Sequence, residues 1–298
     1  MVSMTENALK KRLFTMFGKQ TKTQAIDVLG SGRCGTSMVT RALSFIGVDI
    51  GSEFIKTNKN NPKGFWENKK VVEIQKQINA KMKWKRPYTK SGWHKSKKIE
   101  PFKSELKEMV EQKFADKAYW AFKDPRNCEC IELWQDILTD LDMTPSYLVM
   151  IRNPIDVAES FKEAYNEKNN KSLRLWQMRT LVVLMATRGE PRIVVDYDDF
   201  LDDSLGKLHD IARALNLPWP KDEAKLKQQL DEFVDPGLRH RRTTLDDLDA
   251  ADDIDEDIKT LYRICLRASR YPEYFQSKQF ESQIAGLYQA FLDSGIKV

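Results

Sequence analysis

Residues 25–37 read AIDVLGSGRCGTS. A short apolar run meets a turn with glycines at 30, 32 and 35, and the hydroxyls of Thr36 and Ser37 follow. A run of this length ending in a glycine turn predicts a buried strand, and Met38, Leu43 and Ile46 continue at helical spacing. A strand, tight turn and helix in that order offer backbone N–H groups and a helix N-terminus to an anion. Gly32, Arg33, Cys34, Gly35, Thr36 and Ser37 are therefore the candidate phosphate-binding residues. The ATP and GTP version of this loop places Lys directly after its last glycine, for the β- and γ-phosphates. Here Thr36 stands at that position, and the cation is Arg33, inside the turn. A polyphosphate carrying Mg²⁺ is poorly matched by such a loop.

Working outward, the apolar runs AYWAF at 118–122, SYLVMIR at 146–152 and RIVVDY at 192–197 read as further strands. Helical periodicity fills 129–140, 154–166 and 172–188 between them. This alternation predicts a P-loop-type three-layer α/β fold, with a central parallel sheet and helices on both faces. After residue 201 the pattern is helical only, with segments near 201–216, 222–233, 255–268 and 278–294. The stretch 235–253, punctuated by Pro236 and Gly237, reads as a long loop. One domain over 24–298 is expected, with a sheet core at about 24–200 and a helical cover at 201–298. Residues 1–23 form an extension whose Leu9, Leu13, Phe14 and Phe17 sit beside Lys10, Lys11 and Arg12, an amphipathic pattern suited to a partner helix or a membrane surface.

Composition sets the bounds. Of 298 residues, 41% are hydrophobic and 31% charged, which argues against disorder and for a solvated globule. No run approaches the roughly 18 apolar residues of a spanning helix, and the start lacks the pattern of a secretory signal. The cytoplasm is the expected compartment, with the four cysteines reduced. Cys128 and Cys130 have no second Cys or His cluster at zinc spacing, so no metal is expected. The net charge of +5 favours anionic ligands, and no nucleic-acid motif accompanies it. The basic, aromatic stretch 81–98, with Trp84, Tyr88 and Trp93, reads as a solvated loop or as a surface for an acidic acceptor, a single strand or a carbohydrate, with stacking on Trp84 or Trp93 and core packing of those rings equally open.

A second motif follows the strand at 146–152. RNPIDVAES at 152–160 puts Arg152 at a strand end, Pro154 at a helix start and Ser160 two turns on, where Arg152 and Ser160 can share one phosphate. Together with G-x-x-R-x-G-T-S, this resembles the P-loop sulfotransferases, and the bacterial, Golgi and tyrosylprotein branches in particular. The resemblance covers about residues 24–200. It implies a 5′-phosphosulfate loop at 30–37, a 3′-phosphate site at Arg152 and Ser160, and the donor 3′-phosphoadenosine 5′-phosphosulfate (PAPS), leaving 3′-phosphoadenosine 5′-phosphate (PAP). NPKGFWEN at 61–68 is similar to the acceptor-side segment of those branches, and AFKDPRN at 121–127 to their K-x-P segment. By that likeness Glu67 is the general base and Lys123 and Arg33 are catalytic cations. Read alone, Glu67 is equally a charge complementing a helix dipole, and Asp124 and Arg126 are either supporting partners or a surface pair. YDDF at 197–200 resembles the segment whose Tyr lies near adenine, here Tyr197. Arg239, Arg241 and Arg242 stand where a basic segment closes on the donor in many relatives.

Two departures stand out. Cys34 replaces a usual Ser, and a thiol is a poorer donor than a hydroxyl. Asp196 precedes Tyr197 where a basic residue is common. The reading implied is sulfuryl transfer from PAPS, without a metal, to an acceptor hydroxyl, with a carbohydrate or glycoconjugate favoured. Its rivals are a Mg²⁺-dependent small-molecule kinase, because RIVVDYDD ends a strand in Asp, and a non-catalytic nucleotide- or glycan-binding module.

Overall fold

The computed structural model describes residues 22–59, 61–83, 87, 92–235, 237, 241–296 and 298. Strands β1 (Gln24–Leu29), β2 (Tyr119–Lys123), β3 (Thr144–Ile151) and β4 (Arg192–Asp196) form a parallel sheet in the order β2-β1-β3-β4. Helices α1 (Thr36–Phe45), α2 (Lys69–Lys81), α3 (Glu100–Phe114), α4 (Asn127–Asp140), α5 (Pro154–Tyr165) and α6 (Asn169–Ala186) alternate with these strands. The rest is helical: α7 (Tyr197–Asp202), α8 (Ser204–Ala214), α9 (Glu223–Phe233), α10 (Leu245–Ala250), α11 (Glu256–Arg270), α12 (Pro272–Phe275) and α13 (Lys278–Asp293). The fold is thus α/β, a central parallel sheet flanked by helices with a helical C-terminal region. No helix among the described residues is long and apolar enough to cross a membrane.

The AIDVL run becomes the inner strand β1 because both of its faces are covered; Ala25, Ile26, Val28 and Leu29 are buried. On β2 the faces separate. Trp120 and Phe122 join a ladder with Phe114 of α3 at 4.2 Å and Trp134 of α4 at 4.5 Å, while Ala121 faces the larger cluster. Burying one such aromatic is worth about 1.5–3 kcal/mol. The larger cluster runs from Ile26 to Phe291 and joins the sheet to the C-terminal helices. Strand order reverses between β1 and β3, and in parallel sheets the crevice at such a point, outside the carboxyl ends of the strands, is where ligands bind.

Several elements differ from the sequence reading. Helix α2 was not read from the sequence; Val71, Ile74, Gln75 and Ile78 bury one face of it, and Asn68 starts it, its Oδ1 accepting from Lys70 N–H at 2.9 Å and Val71 N–H at 3.2 Å. Its many lysines dilute that apolar stripe, as charged residues do in α3. The loop expected at 235–253 contains α10, started by a capping box between Thr244 and Asp247. In the 81–98 stretch, Lys81 closes α2 and Trp93 is buried in the aromatic cluster, so Trp93 is unavailable for stacking on an acceptor. Trp84, Tyr88, Arg239 and the amphipathic start up to residue 21 lie outside the described residues.

Candidate functional site

The turn after β1 is shaped by close approach. Gly30 has φ 145°, and a Cβ there would stand 2.6 Å from the carbonyl oxygen of Met150 on β3. Gly35, the N-cap of α1, has φ 84°, and its Cβ would meet the Tyr197 ring at 2.5 Å. Only glycine fits either place. Arg33 has φ 71°, a left-handed conformation unusual for a long side chain, and its Nε donates to Ser160 Oγ at 2.8 Å.

Arg152 lies between the end of β3 and the start of α5, where Asn153 caps the helix through Ile155 N–H at 3.0 Å and Pro154 fills its first turn. Its guanidinium is almost fully buried. Nη1 donates to the Arg33 carbonyl at 3.3 Å, Nη2 lies 3.7 Å from Asp156, and the group stacks 4.3 Å from the centre of the Tyr197 ring. Its Nε is buried without a hydrogen-bond partner. A buried guanidinium N–H with no acceptor is costly. The two motifs, more than a hundred residues apart in sequence, therefore meet through Arg33, Arg152 and Ser160.

Opposite them stands Glu67. Trp66 before it has φ 55°, with its ring held against Phe54 at 5.2 Å and under the Arg41 guanidinium at 5.0 Å. Such strain persists only where surroundings impose it, and it clusters at functional sites. Backbone bonds fix the segment too: Ile55 N–H donates to the Glu67 carbonyl at 2.9 Å, and Asn68 then caps α2. The Glu67 carboxylate accepts from Lys123 Nζ at 2.6 Å and lies 3.6 Å from Arg126. Lys123 sits at the carboxyl end of β2, level with Val28 of β1, so it shares the carboxyl edge of the sheet with the glycine turn. Arg126 is itself held by Asp124 at 2.8 Å, a carboxylate with no exposure. Below, Gln75 donates to Asn127 at 2.8 Å and Asn127 to Asp27 at 2.7 Å, tying α2 through α4 to β1. Burial, partly offset by the bond from Asn127, holds the Asp27 carboxyl well above its ordinary range.

Ser37 joins the two sides. Its Oγ donates to the Phe65 carbonyl at 3.1 Å and accepts from Asn61 Nδ2 at 3.3 Å.

A cavity of about 850 Å³ is lined by Gly32, Arg33, Gly35, Thr36, Ser37, Glu67, Lys123, Arg152, Ser160, Tyr197 and Arg241. These are the sequence candidates brought together. Arg241 is half exposed and pairs with Glu159 and Glu163 of α5, both at 3.7 Å. Arg242 instead pairs with Asp202 at 2.7 Å and is not on the wall.

Cys34 is a correction. Its side chain has no exposure and belongs to the core cluster, so the thiol does not stand in for a hydroxyl facing a phosphate. Burial pushes its pKa up to about 12 against the pull of Arg152 and Arg179, so the thiol is protonated at neutral pH. Asp196 is also placed away from the wall. Its Oδ1 caps α7 through Asp198 and Asp199 N–H, and its Oδ2 accepts from Tyr262. A carboxylate committed in this way, and pushed up to about 7 chiefly by burial, does not have the setting of a strand-end metal ligand. Among the described residues no cluster of His, Cys, Asp and Glu could hold a metal ion.

Several wall residues were missed by sequence reasoning, Lys56, Lys59, Lys76 and Arg179 among them. Arg179 of α6 is buried against Glu129 at 3.0 Å and reaches the cavity; its signal was a lone charge within LWQMRTLVVLM. Arg126 was left open between a surface pair and a supporting role, and the structure puts it on the wall beside Glu67.

No protein-family model matches the chain, and no curated protein does. Among solved structures, it is similar to the sulfotransferase domain of the Synechococcus PCC 7002 olefin synthase, with 14% identity over 92% of this chain and 96% of that one, at a TM-score of 0.44. It is similar to the sulfotransferase domain of the curacin biosynthetic pathway, with 14% identity over 68% and 77% of the two chains and a TM-score of 0.41. A third is retinol dehydratase in complex with androsterone and the inactive cofactor PAP, with 14% identity over 95% and 84% and a TM-score of 0.37. At these values the likenesses carry no argument, and the functional reading rests on the cavity.

Proposed function

We propose that the chain is a PAPS-dependent sulfotransferase acting on an acceptor hydroxyl. One observation carries the reading: the glycine turn and the Arg152–Ser160 motif meet on one wall of a cavity whose other wall holds the Glu67–Lys123 pair. The residues fit a donor with two separated anionic groups. N–H groups of the turn and the start of α1 suit one, and the Arg152 guanidinium, with an unsatisfied Nε, suits the other. PAPS would supply an activated sulfuryl group, singly charged and so in no need of a metal to neutralise it.

The protein's own residues have distinct tasks. Glu67 takes the proton of the acceptor hydroxyl, which requires the carboxylate within about 3 Å of that oxygen. Lys123 and Arg126 orient the carboxylate, and Lys123 offers a fixed cation where negative charge grows toward the leaving phosphate. Arg33 spans the two anionic positions, since its backbone belongs to the turn and its Nε is given to Ser160. Tyr197, stacked on Arg152, offers a flat wall for the base, and Arg241 closes the outer side. Phe65 and Trp66 beside Asn58 and Asn61 supply the mixed aromatic and amide lining that suits a carbohydrate acceptor.

Transfer of labelled sulfate from PAPS to a panel of hydroxyl acceptors tests the reading. Product is expected with wild type and not with Glu67→Gln. No transfer to any acceptor by a protein that binds PAP would favour the non-catalytic binding module.

A further inference from the structure

The cavity wall is cationic beyond what its own carboxylates balance. Each carboxylate on it is engaged: Glu67 by Lys123 and Arg126, Asp156 by Arg152, Glu159 and Glu163 by Arg241, and Asp235 by Lys63 at 3.8 Å. Lys56, Lys59 and Lys76 also line the wall, are exposed, and make no ion pair among the described residues. All three belong to the segments on either side of Glu67 in the chain, residues 55–66 and α2. Lys56 follows Ile55, whose N–H is bonded to the Glu67 carbonyl. Lys76 lies one turn beyond Val72 on the same face of α2, the helix that Glu67 precedes, and Val72 lines the cavity too. Lys59 is on the short segment that Asn61 and Ser37 stitch to the phosphate loop.

Three like charges around one opening repel one another and the nearby guanidiniums, a cost that an anion placed among them removes. Resting on the proposed sulfuryl transfer to a carbohydrate hydroxyl, we infer that the acceptor is an anionic glycan, with carboxylate or sulfate groups flanking the reacting hydroxyl. The lysines offset the repulsion between such an acceptor and the anionic donor, and Glu67 is left to act on the hydroxyl between them.

The test is equilibrium binding to the PAP-loaded full chain, read by calorimetry. The probes are a neutral glucan hexasaccharide, a polygalacturonate hexasaccharide and a tyrosine peptide flanked by glutamates, each with wild type and with the triple variant Lys56→Ala, Lys59→Ala, Lys76→Ala. The polygalacturonate is expected to bind wild type about tenfold or more tighter than the glucan, with the gap narrowing as salt rises and closing in the triple variant. PAP affinity should stay unchanged in that variant. Equal binding of the two saccharides by wild type overturns the inference, as does a preference that survives in the triple variant. Preferential binding of the peptide over the polygalacturonate overturns it in favour of an acidic protein acceptor. A parallel loss of PAP affinity in the triple variant would assign the lysines to the donor. Failure of wild type to bind PAP at all would instead sink the sulfotransferase reading, so the two failures are distinguishable.

Discussion

On the phosphate-loop side of the cavity, backbone sets the geometry. Gly30 and Gly35 let β3 and Tyr197 approach within distances no side chain permits, and Arg152 is delivered by a strand end and a capped helix. On the Glu67 side, side chains set it. A strained Trp66 is held by Phe54 and Arg41, Glu67 is held by Lys123 and Arg126, and exposed lysines rim the opening. Under the proposed function, the first side would hold an invariant donor and the second an acceptor chosen by surface charge.

Substitutions can separate the two. Glu67→Gln is expected to lower kcat by about 10²- to 10⁴-fold, the usual worth of a general base, while PAP affinity stays near wild type in calorimetry. A matching loss of PAP affinity would mean that the sides are not independent. Arg152→Ala should weaken PAP binding roughly 10- to 100-fold, as for a charge-assisted hydrogen bond of about 1.5–3 kcal/mol, with binding of the acceptor little altered. Gly35→Ala combines a left-handed backbone with a 2.5 Å approach to Tyr197. It should cost about 1–3 kcal/mol in denaturant unfolding and loosen the stack on Arg152. Ser37→Ala removes the link to Phe65 and Asn61, and is expected to raise the acceptor KM several-fold, about 0.5–1.5 kcal/mol, with PAP affinity retained.

A pH effect belongs to the loop side. The buried Asp196 carboxyl keeps its proton up to about 7 in the folded chain, whereas the unfolded chain releases it near the ordinary carboxylate value. The unfolded state thus binds fewer protons, and stability should fall as pH rises from about 4 to about 7 and then level off. Asp196→Asn should flatten that slope in denaturation series across the window. Asp27, raised in the same direction, keeps part of it.

The phosphate-loop side was largely legible in sequence because turns and caps are local devices. Glycines at fixed offsets, a Pro at a helix start and an Arg ending an apolar run each act through their immediate neighbours. The reading of Cys34 went astray because residue type does not say which way a side chain in a tight turn points; this thiol turns into the core. Around Glu67 the motif named the residue but not its setting. The pairing of Lys123 with Glu67 spans 56 positions, and the support of Asp124 and Arg126 depends on how β2 ends beside β1. Helix α2 was hidden by its lysines, and α10 by a preceding Pro and Gly that outweighed its capping box. For Trp93 the sequence left stacking on an acceptor and core packing equally open, because a basic stretch says nothing of tertiary packing, and the structure puts the ring in the core.

The central claim is that Arg152 reads a 3′-phosphate in the same cavity as the glycine turn. Calorimetric titration of wild type and Arg152→Ala with PAP and with adenosine 5′-phosphate, which lacks that phosphate, tests it most directly. Wild type should prefer PAP, and Arg152→Ala should lose most of that preference while its affinity for adenosine 5′-phosphate is nearly unchanged. Equal affinity of wild type for the two nucleotides, or a PAP preference untouched by the substitution, would contradict the account.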